Sequence, residues 1–165
     1  MNTVIRILVT GGTIDKHYNP LNGELIFSQS SIERMLVQSR STVKAELEVV
    51  MLKDSLEMDN SDRERLSQAC NQSPEVRMII THGTDTMVAS AQTIAEQLPK
   101  DKVVVLLGAM VPYQFKESDA LFNLGCAMSA VQILKPGVYI TMNGQVFDYR
   151  EVVKNRAIGE FESRV

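Results

Sequence analysis

Apolar residues along the chain fall into short continuous runs, separated by longer segments in which apolar positions recur at helical spacing. The runs are rich in β-branched residues, which is typical of buried strands. They lie at residues 4–9, 43–52, 76–80, 103–107 and 138–140. Strands that are apolar on both faces are typical of a parallel sheet covered by helices on both sides.

The segments between the strands carry apolar residues three and four positions apart, which predicts amphipathic helices. Two of them lie at 87–98 and 121–134. Ahead of the first helix, Ser30 with Glu33 has the spacing of a capping box, and Asn60 or Ser61 is the expected N-cap of the second. Strands alternating with helices predict an α/β fold with right-handed crossovers.

The expected architecture is a three-layer sandwich with a mainly parallel sheet, of the Rossmann or flavodoxin type, forming a single domain over residues 1–165. Two stretches do not follow the alternation. Residues 15–29 contain turn-forming residues and are predicted to be a mobile loop over the end of the first strand. Asn143-Gly144 is a strong turn signal and predicts a hairpin with residues 145–147.

The composition is that of a globular protein and disfavours a nucleic-acid or membrane partner. Apolar residues make up 44% and charged residues 22% of the 165 positions, as in ordinary globular domains. The net charge of -3 and the scattered basic residues disfavour a nucleic-acid partner, and no apolar stretch is long enough for a membrane partner. Cys70 and Cys126 fall in predicted helices as small apolar groups, and no secretory signal is evident, so we expect a cytoplasmic protein.

Candidate chemistry follows two of the strands. Gly11-Gly12-Thr13 allows a sharp turn with accessible main-chain N–H groups, although the third glycine of a dinucleotide fingerprint is missing. In the run 81–86, Thr84 or Asp85 is either an N-cap of the next helix or a reactive group. His82 is expected to be a buried, hydrogen-bonded histidine rather than a metal ligand, and no metal site is predicted.

Other polar residues lie near the ends of predicted strands or in adjacent loops. Taken singly, each has an ordinary structural role: Asp54-Ser55 forms a turn, Lys154 is a solvated surface lysine, and Tyr18 covers the edge of the sheet. Together, two threonine hydroxyls, an acid and a lysine are the parts of a nucleophilic amide-cleaving site. Main-chain N–H groups at the glycine turn or at Gly108-Ala109 are candidates for holding an oxyanion.

Five segments in this order resemble the bacterial-type L-asparaginase family. They are TGGTI at 10–14, HGTDTM at 82–87, GAMVP at 108–112, SDALFNL at 118–124 and REVVK at 150–154. The resemblance covers nearly the whole chain, and its most specific segment is HGTDTM. It implies an amidohydrolase that needs neither a metal nor an organic cofactor.

The resemblance also implies roles for single residues. Thr13 matches the nucleophile in the family's mobile loop. Thr84 matches the second catalytic threonine, with Asp85 and Lys154 completing a relay. Tyr18 is the candidate for the tyrosine that orients the nucleophile, although spacing in the loop does not fix this alignment.

Substrate contacts are implied in the same way. Ser55 matches the serine that binds the α-carboxylate of the substrate, and Asp85 matches the acid that holds its amino group. Leu56 departs from the family, which often has a polar substrate contact beside this serine. The implied substrate-binding positions are Gly12, Asp54, Ser55, Gly83, Thr84, Asp85, Ala109 and Met110.

The expected reaction is hydrolysis of the side-chain amide of L-asparagine to L-aspartate and ammonia. Familiar members of the family are about twice as long, and a neighbouring subunit completes their pocket. We therefore expect a short form without the usual C-terminal domain that assembles as a homo-oligomer. Two alternatives remain: an amidase for L-glutamine or another amide, and a catalytically weak sensor that binds an amino acid.

Overall fold

The computed structural model describes residues 4–164. Strands and helices alternate along most of this part of the chain. In chain order the elements are β1 (Ile5–Gly11), β2 (His17–Tyr18), β3 (Leu25–Ile26), α1 (Ile32–Gln38), β4 (Ala45–Lys53), α2 (Asn60–Gln72), β5 (Arg77–Thr81), α3 (Met87–Gln97), β6 (Val103–Leu107), α4 (Ala120–Ile133), β7 (Gly137–Met142), β8 (Gln145–Asp148), β9 (Val152–Asn155) and β10 (Glu160–Ser163).

The main sheet has six strands in the order β4-β1-β5-β6-β7-β8. Its first five strands are parallel, and β8 pairs antiparallel with β7 at one edge. Numbered among themselves, the parallel strands have the order 2-1-3-4-5, which is the flavodoxin-type arrangement. The predicted fold class is confirmed.

The hydrophobic core consists of two clusters, one on each face of the sheet. Alternate residues of one strand enter different clusters: Met78 and Ile80 of β5 lie in one, and Ile79 lies in the other. Helices α2 and α3 cover the first face, and α1 and α4 cover the second. The apolar runs in the sequence therefore reflect burial on both faces of the sheet.

The turn at Asn143-Gly144 has the geometry that its sequence predicts. Asn143 has φ 55° and Gly144 has φ 76°, the left-handed conformations that a two-residue hairpin turn of this kind requires. The turn joins β7 to β8, with Met142 paired to Gln145. The predicted hairpin is confirmed.

Residues 15–29 are more ordered than the predicted loop. Thr13–Asp15 forms one turn of 3-10 helix, and β2 then pairs antiparallel with β3. Residues 16–29, which we call the flap, thus form a short hairpin between β1 and α1. Two-residue strands give no periodicity that a sequence pattern can reveal.

The predicted helix caps need correction. Helix α1 has Ser31 as its N-cap without a side-chain capping bond, so the capping box of Ser30 and Glu33 is wrong. The hydroxyl of Ser30 instead donates to Asp15, far away in sequence. Helix α2 begins after Asp59, which forms a reciprocal capping box with Asp62, rather than at a cap on Asn60 or Ser61.

Both cysteines lie in helices, as predicted. Cys70 is buried in the core, and burial raises the pKa of its thiol to about 12. Cys126 is partly exposed. Within residues 4–164, no helix combines the length and the apolar character needed to cross a membrane.

Candidate active site

The loops that follow β1 and β5 meet at the carboxyl edge of the sheet. These two strands are neighbours, and the chain leaves them towards opposite sides, which is where open α/β folds bind their ligands. A Cβ atom on Gly12 would lie 2.4 Å from the Gly83 nitrogen, and one on Gly83 would lie 2.6 Å from the Ser55 Cβ. Glycine at both positions is what allows these loops to pack together with the loop after β4.

Thr13 is held between anchored neighbours. The N–H of Gly12 donates to the Lys53 carbonyl at 2.9 Å, and the carbonyl of Ile14, a fully buried residue, accepts from the Tyr113 N–H at 3.2 Å. Among the described residues, the Thr13 hydroxyl has no hydrogen-bond partner. A free hydroxyl on a fixed turn is suited to meet a ligand from outside the chain.

Thr84, Asp85 and Lys154 form one hydrogen-bonded group although they are far apart in sequence. Lys154 Nζ donates to Thr84 Oγ1 at 2.7 Å and to Asp85 Oδ1 at 2.9 Å. The Lys154 side chain is only 10% exposed, whereas that of Asp85 is one-third exposed at 33%. The ammonium group is therefore largely removed from solvent, and the carboxylate keeps one side open to a ligand.

Arg156 adds a second positive charge to this group, which the sequence reasoning missed. Its Nε lies 3.8 Å from Asp85 Oδ1, and its Nη2 donates to the Asp85 carbonyl at 3.3 Å. The guanidinium itself is mostly exposed. Since 69 or more positions separate these residues in sequence, no local pattern could have revealed the pair.

Lys154 reaches the site from a ribbon, β9 and β10, that is hydrogen-bonded separately from the main sheet. Val152 and Phe161 of this ribbon are buried in the core cluster that contains α2 and α3. The Phe161 N–H also donates to Asn143 Oδ1 at 3.0 Å, next to the β7–β8 turn. Apolar packing therefore fixes the lysine position.

His82 lies fully buried beneath the Thr84 loop, as predicted. Its Nδ1 is 2.7 Å from the Gly83 carbonyl oxygen and its Nε2 is 2.7 Å from Ser90 Oγ. Because a carbonyl only accepts, Nδ1 carries the proton and Nε2 accepts from Ser90. Burial lowers the pKa of His82 to about 4, so the ring is neutral at physiological pH.

Asp54 and Ser55 follow β4 and begin a single 3-10 turn, Ser55–Glu57. Asp54 accepts from the Leu56 N–H at 3.0 Å and forms an ion pair with Lys16 of the flap. The hydrogen bond from Lys16 holds the pKa of Asp54 below its usual value. Asp54 thus already has intramolecular partners, and the Leu56 side chain points largely into solvent.

Ser55 is buried, and its carbonyl accepts from Thr86 Oγ1 at 2.8 Å. Thr86, not Thr84 or Asp85, is the N-cap residue of α3. The simple capping explanation for Thr84 and Asp85 is therefore wrong, and their side chains are directed to Lys154 instead.

The loop after β6 packs against the Thr84 loop. A Cβ on Gly108 would lie 2.4 Å from the His82 carbonyl oxygen, and Thr84 Oγ1 donates to Met110 Sδ at 3.7 Å. The Gly108 N–H donates to Met142 Sδ at 3.4 Å, and the Met110 N–H donates to the Asp119 carboxylate at 2.9 Å. Of the two candidate oxyanion donors in this loop, the Gly108 N–H is therefore occupied, and the Ala109 N–H remains as the candidate.

Tyr18 lies in the flap and is 54% exposed. Its hydroxyl lies 4.0 Å from the Cβ position of Gly23 in the same hairpin, and it has no hydrogen-bond partner among the described residues. The predicted role of Tyr18 in orienting Thr13 stays a prediction.

Within residues 4–164, no group of three or more His, Cys, Asp or Glu side chains is arranged to hold a metal ion.

Comparison with known proteins agrees with this architecture. The family described as "Asparaginase, N-terminal" matches residues 4–163. A probable periplasmic L-asparaginase of Haemophilus influenzae is 32% identical over 161 residues, which cover 91% of this chain and 46% of that protein. A glutaminase-asparaginase of Acinetobacter glutaminasificans is 36% identical over 80 residues, covering 47% of this chain and 24% of that protein.

Solved structures give the same result. The thermostable L-asparaginase of Thermococcus kodakarensis superposes with a TM-score of 0.87 at 26% identity, covering 98% of this chain and 51% of that one. A probable cytoplasmic L-asparaginase of Campylobacter jejuni gives 0.85 at 28% identity, covering 98% and 53%. The chain thus spans about half the length of these asparaginases. Because the match extends over nearly all of the described residues, the chain belongs to the asparaginase family and corresponds to its N-terminal domain.

Proposed function

We propose that this protein hydrolyses the side-chain amide of L-asparagine to L-aspartate and ammonia by means of a threonine nucleophile. The observation that carries the proposal is the contact of Lys154 Nζ with both Thr84 Oγ1 and Asp85 Oδ1, at 2.7 and 2.9 Å. This group lies beside the contact between Gly12 and Gly83, and so beside the turn that carries Thr13.

Thr13 is the residue that we propose to attack first, because its hydroxyl is free whereas that of Thr84 is engaged by Lys154 and Met110. Its Oγ forms a bond to the amide carbon and gives up its proton to the hydrogen-bonded group of Thr84, Asp85 and Lys154. The C–N bond then breaks, and the departing nitrogen takes a proton and leaves as ammonia. The acid part of the substrate remains as an ester on Thr13.

Thr84, Asp85 and Lys154 complete the cycle as a proton relay. A water molecule gives a proton to the relay and attacks the ester carbon. The carbon–oxygen bond to Thr13 breaks, its Oγ recovers a proton, and aspartate is released. The Ala109 N–H is a candidate donor to the oxyanion of both tetrahedral intermediates, and one such donor contributes roughly 3 kcal/mol to the transition state.

Substrate selection rests on the two ends of the amino acid. The one-third exposed carboxylate of Asp85 is the proposed partner of the substrate ammonium, and Ser55 is the proposed partner of its α-carboxylate. Gly12 and Gly83 pack together at the same edge of the sheet, where Met110 Sδ accepts from Thr84 Oγ1, and these residues are proposed to contact the substrate as well. L-glutamine is the second candidate, supported by the similarity to a glutaminase-asparaginase.

We further propose that the protein is a cytoplasmic homo-oligomer in which a neighbouring copy closes the exposed side of Asp85. Sedimentation of a fully active monomer would refute the oligomer. The two similar proteins named for a compartment are one periplasmic and one cytoplasmic, so fractionation of cells is the direct test of location.

The function is tested with a panel of amides and coupled detection of ammonia. We expect Thr13→Ala and Thr84→Val each to lower kcat by more than ~10³-fold with the fold retained. Thr42→Ala is the matched control, because Thr42 is exposed and precedes β4 at the opposite edge of the sheet. If no amide is hydrolysed while asparagine raises the melting temperature, the protein is a sensor.

A further inference from the structure

The two ends of the flap are joined by the buried carboxylate of Asp15. Asp15 closes the 3-10 turn that starts at Thr13, and it is 1% exposed. Its Oδ1 accepts from the Ser31 N–H at 2.7 Å, and its Oδ2 accepts from the Ser30 hydroxyl at 3.0 Å. One side chain therefore joins the residue before the flap to the two residues after it.

The rest of the flap makes few buried contacts. Leu21 at its tip is almost fully exposed, and both strands of the hairpin are only two residues long. His17 Nε2 lies 2.9 Å from the Gln29 carbonyl oxygen at the base of the hairpin, but this contact is itself exposed. Lys16 of the flap also forms an ion pair with Asp54, but both side chains are partly exposed, at 20% and 30%. Asp15 is therefore the fully buried attachment at the base of the flap.

Asp15 connects the turn that carries Thr13 to the start of α1, which is packed in the core. Ser30 and Ser31 lead directly into α1, whose Ile32 is buried in the core together with Ile14. Ser30 Oγ also accepts from the Ile32 N–H at 3.2 Å. The hydrogen bonds of Asp15 therefore fix the turn of Thr13 against the first residue of this helix.

We propose that Asp15 is a positioning residue that holds the Thr13 turn and the base of the flap in their reactive arrangement. This rests on the proposed function, because it assumes that Thr13 attacks the substrate. Asp15 does not contact the substrate in this account. It acts by keeping the Thr13 hydroxyl at one place relative to the amide carbon, where a displacement of about 1 Å costs about 10²-fold in rate.

The charge of Asp15 is not required for this role. Burial raises the pKa of Asp15 above its usual value, opposed by the bonds from Ser31 and Ser30, so the buried charge itself is unfavourable. An asparagine at this position keeps an oxygen for the Ser31 N–H and gains an amide that donates to Ser30. Asp15→Asn should therefore retain the arrangement that Asp15→Leu removes.

The matched control is Glu75→Leu. Glu75 also accepts from a serine hydroxyl, that of Ser73 at 2.6 Å, and from Arg6 Nε at 3.0 Å, and its side chain is 13% exposed. It precedes β5 and so lies at the edge of the sheet opposite the candidate site. This variant loses a partly buried carboxylate and its partners without touching the flap.

The experiment measures steady-state kinetics and hydrogen exchange of the backbone amides in residues 13–32 for the full chain. We expect Asp15→Leu to lower kcat about 10²-fold with a much smaller change in KM, and to speed exchange at Ser31 and through the flap. Asp15→Asn should stay within about threefold of the wild type in kcat, and Glu75→Leu should leave flap exchange unchanged.

Unchanged kcat and unchanged exchange in Asp15→Leu would overturn the inference, as would equal losses in the asparagine and leucine variants. If Asp15→Leu does not fold, Ser30→Ala removes one of the two donors and should give a smaller loss of kcat with faster flap exchange. If the wild type hydrolyses no amide, the proposed function fails, while the exchange data still decide whether Asp15 holds the flap.

Discussion

The neutral, buried His82 makes the stability of the protein depend on pH in a way that can be calculated. The folded-state pKa of His82 is about 4, against the ordinary histidine value of 6.5. As pH falls, the unfolded chain binds a proton on this ring before the folded protein does, so the free energy of unfolding decreases. The stabilising contribution is complete above pH 6.5 and is lost as the pH falls towards 4.

The size of the effect follows from the separation of the two pKa values. Each unit of separation corresponds to about 1.4 kcal/mol, and between pH 8 and pH 5 the loss from His82 comes to about 2 kcal/mol. For a chain of this length, that loss lowers the melting temperature by about 4–8 °C. Because the side chain is fully buried, screening by solvent does not reduce this value much.

Thermal or urea unfolding at pH 8 and pH 5 measures this difference, and His82→Gln isolates its source. The variant should be less stable than the wild type at pH 8 but lose about 2 kcal/mol less on acidification. His17→Gln removes the only other histidine, which lies in the flap, and serves as the control. If His82→Gln and the wild type lose equal stability between the two pH values, His82 is not the buried neutral group described above.

The remaining predictions concern the site and its packing. Lys154→Met should reduce ammonia release more than ~10³-fold. Lys44 is an exposed lysine ahead of β4, and Lys44→Met should leave ammonia release unchanged. If Lys154→Met only shifts the pH optimum, Lys154 has an electrostatic role alone. Gly83→Ala should destabilise the protein by about 1–3 kcal/mol and impair activity, because its Cβ would lie 2.6 Å from Ser55 Cβ. Gly125→Ala, exposed in α4 with no atom near its Cβ, should instead raise stability by about 0.5–1 kcal/mol; equal melting shifts in the two variants would contradict the packing described.

The sheet could be predicted because its evidence is local and repeated. Runs such as Val103–Leu107 are β-branched, short and apolar throughout, and every residue of this strand is buried. Strand ends meet at one edge in any parallel sheet, so Thr13 and Thr84 could be assigned to one edge before their coordinates were known. The hairpin at Asn143-Gly144 followed from the preference of these residues for positive φ.

Features that depend on distant partners could not be predicted. Ser30 has the pattern of a capping box, but its hydroxyl is taken by Asp15. The cap of α2 is a different case, because Asp59 is selected among Asp59-Asn60-Ser61 by a local box with Asp62, a signal that the sequence carried and the prediction overlooked. The ion pair of Lys16 with Asp54 likewise joins loops that are far apart in sequence.

The separation of the β9–β10 ribbon from the main sheet has a consequence for the order of folding. Thr84 and Asp85 are placed by the loop after β5, whereas Lys154 is held by the packing of Val152 and Phe161, and we expect this second contact to form after the parallel strands assemble. We expect refolding to restore the circular dichroism of the sheet and helices before it restores turnover. A molecule caught between these two events would have its full complement of helices and yet be chemically inert.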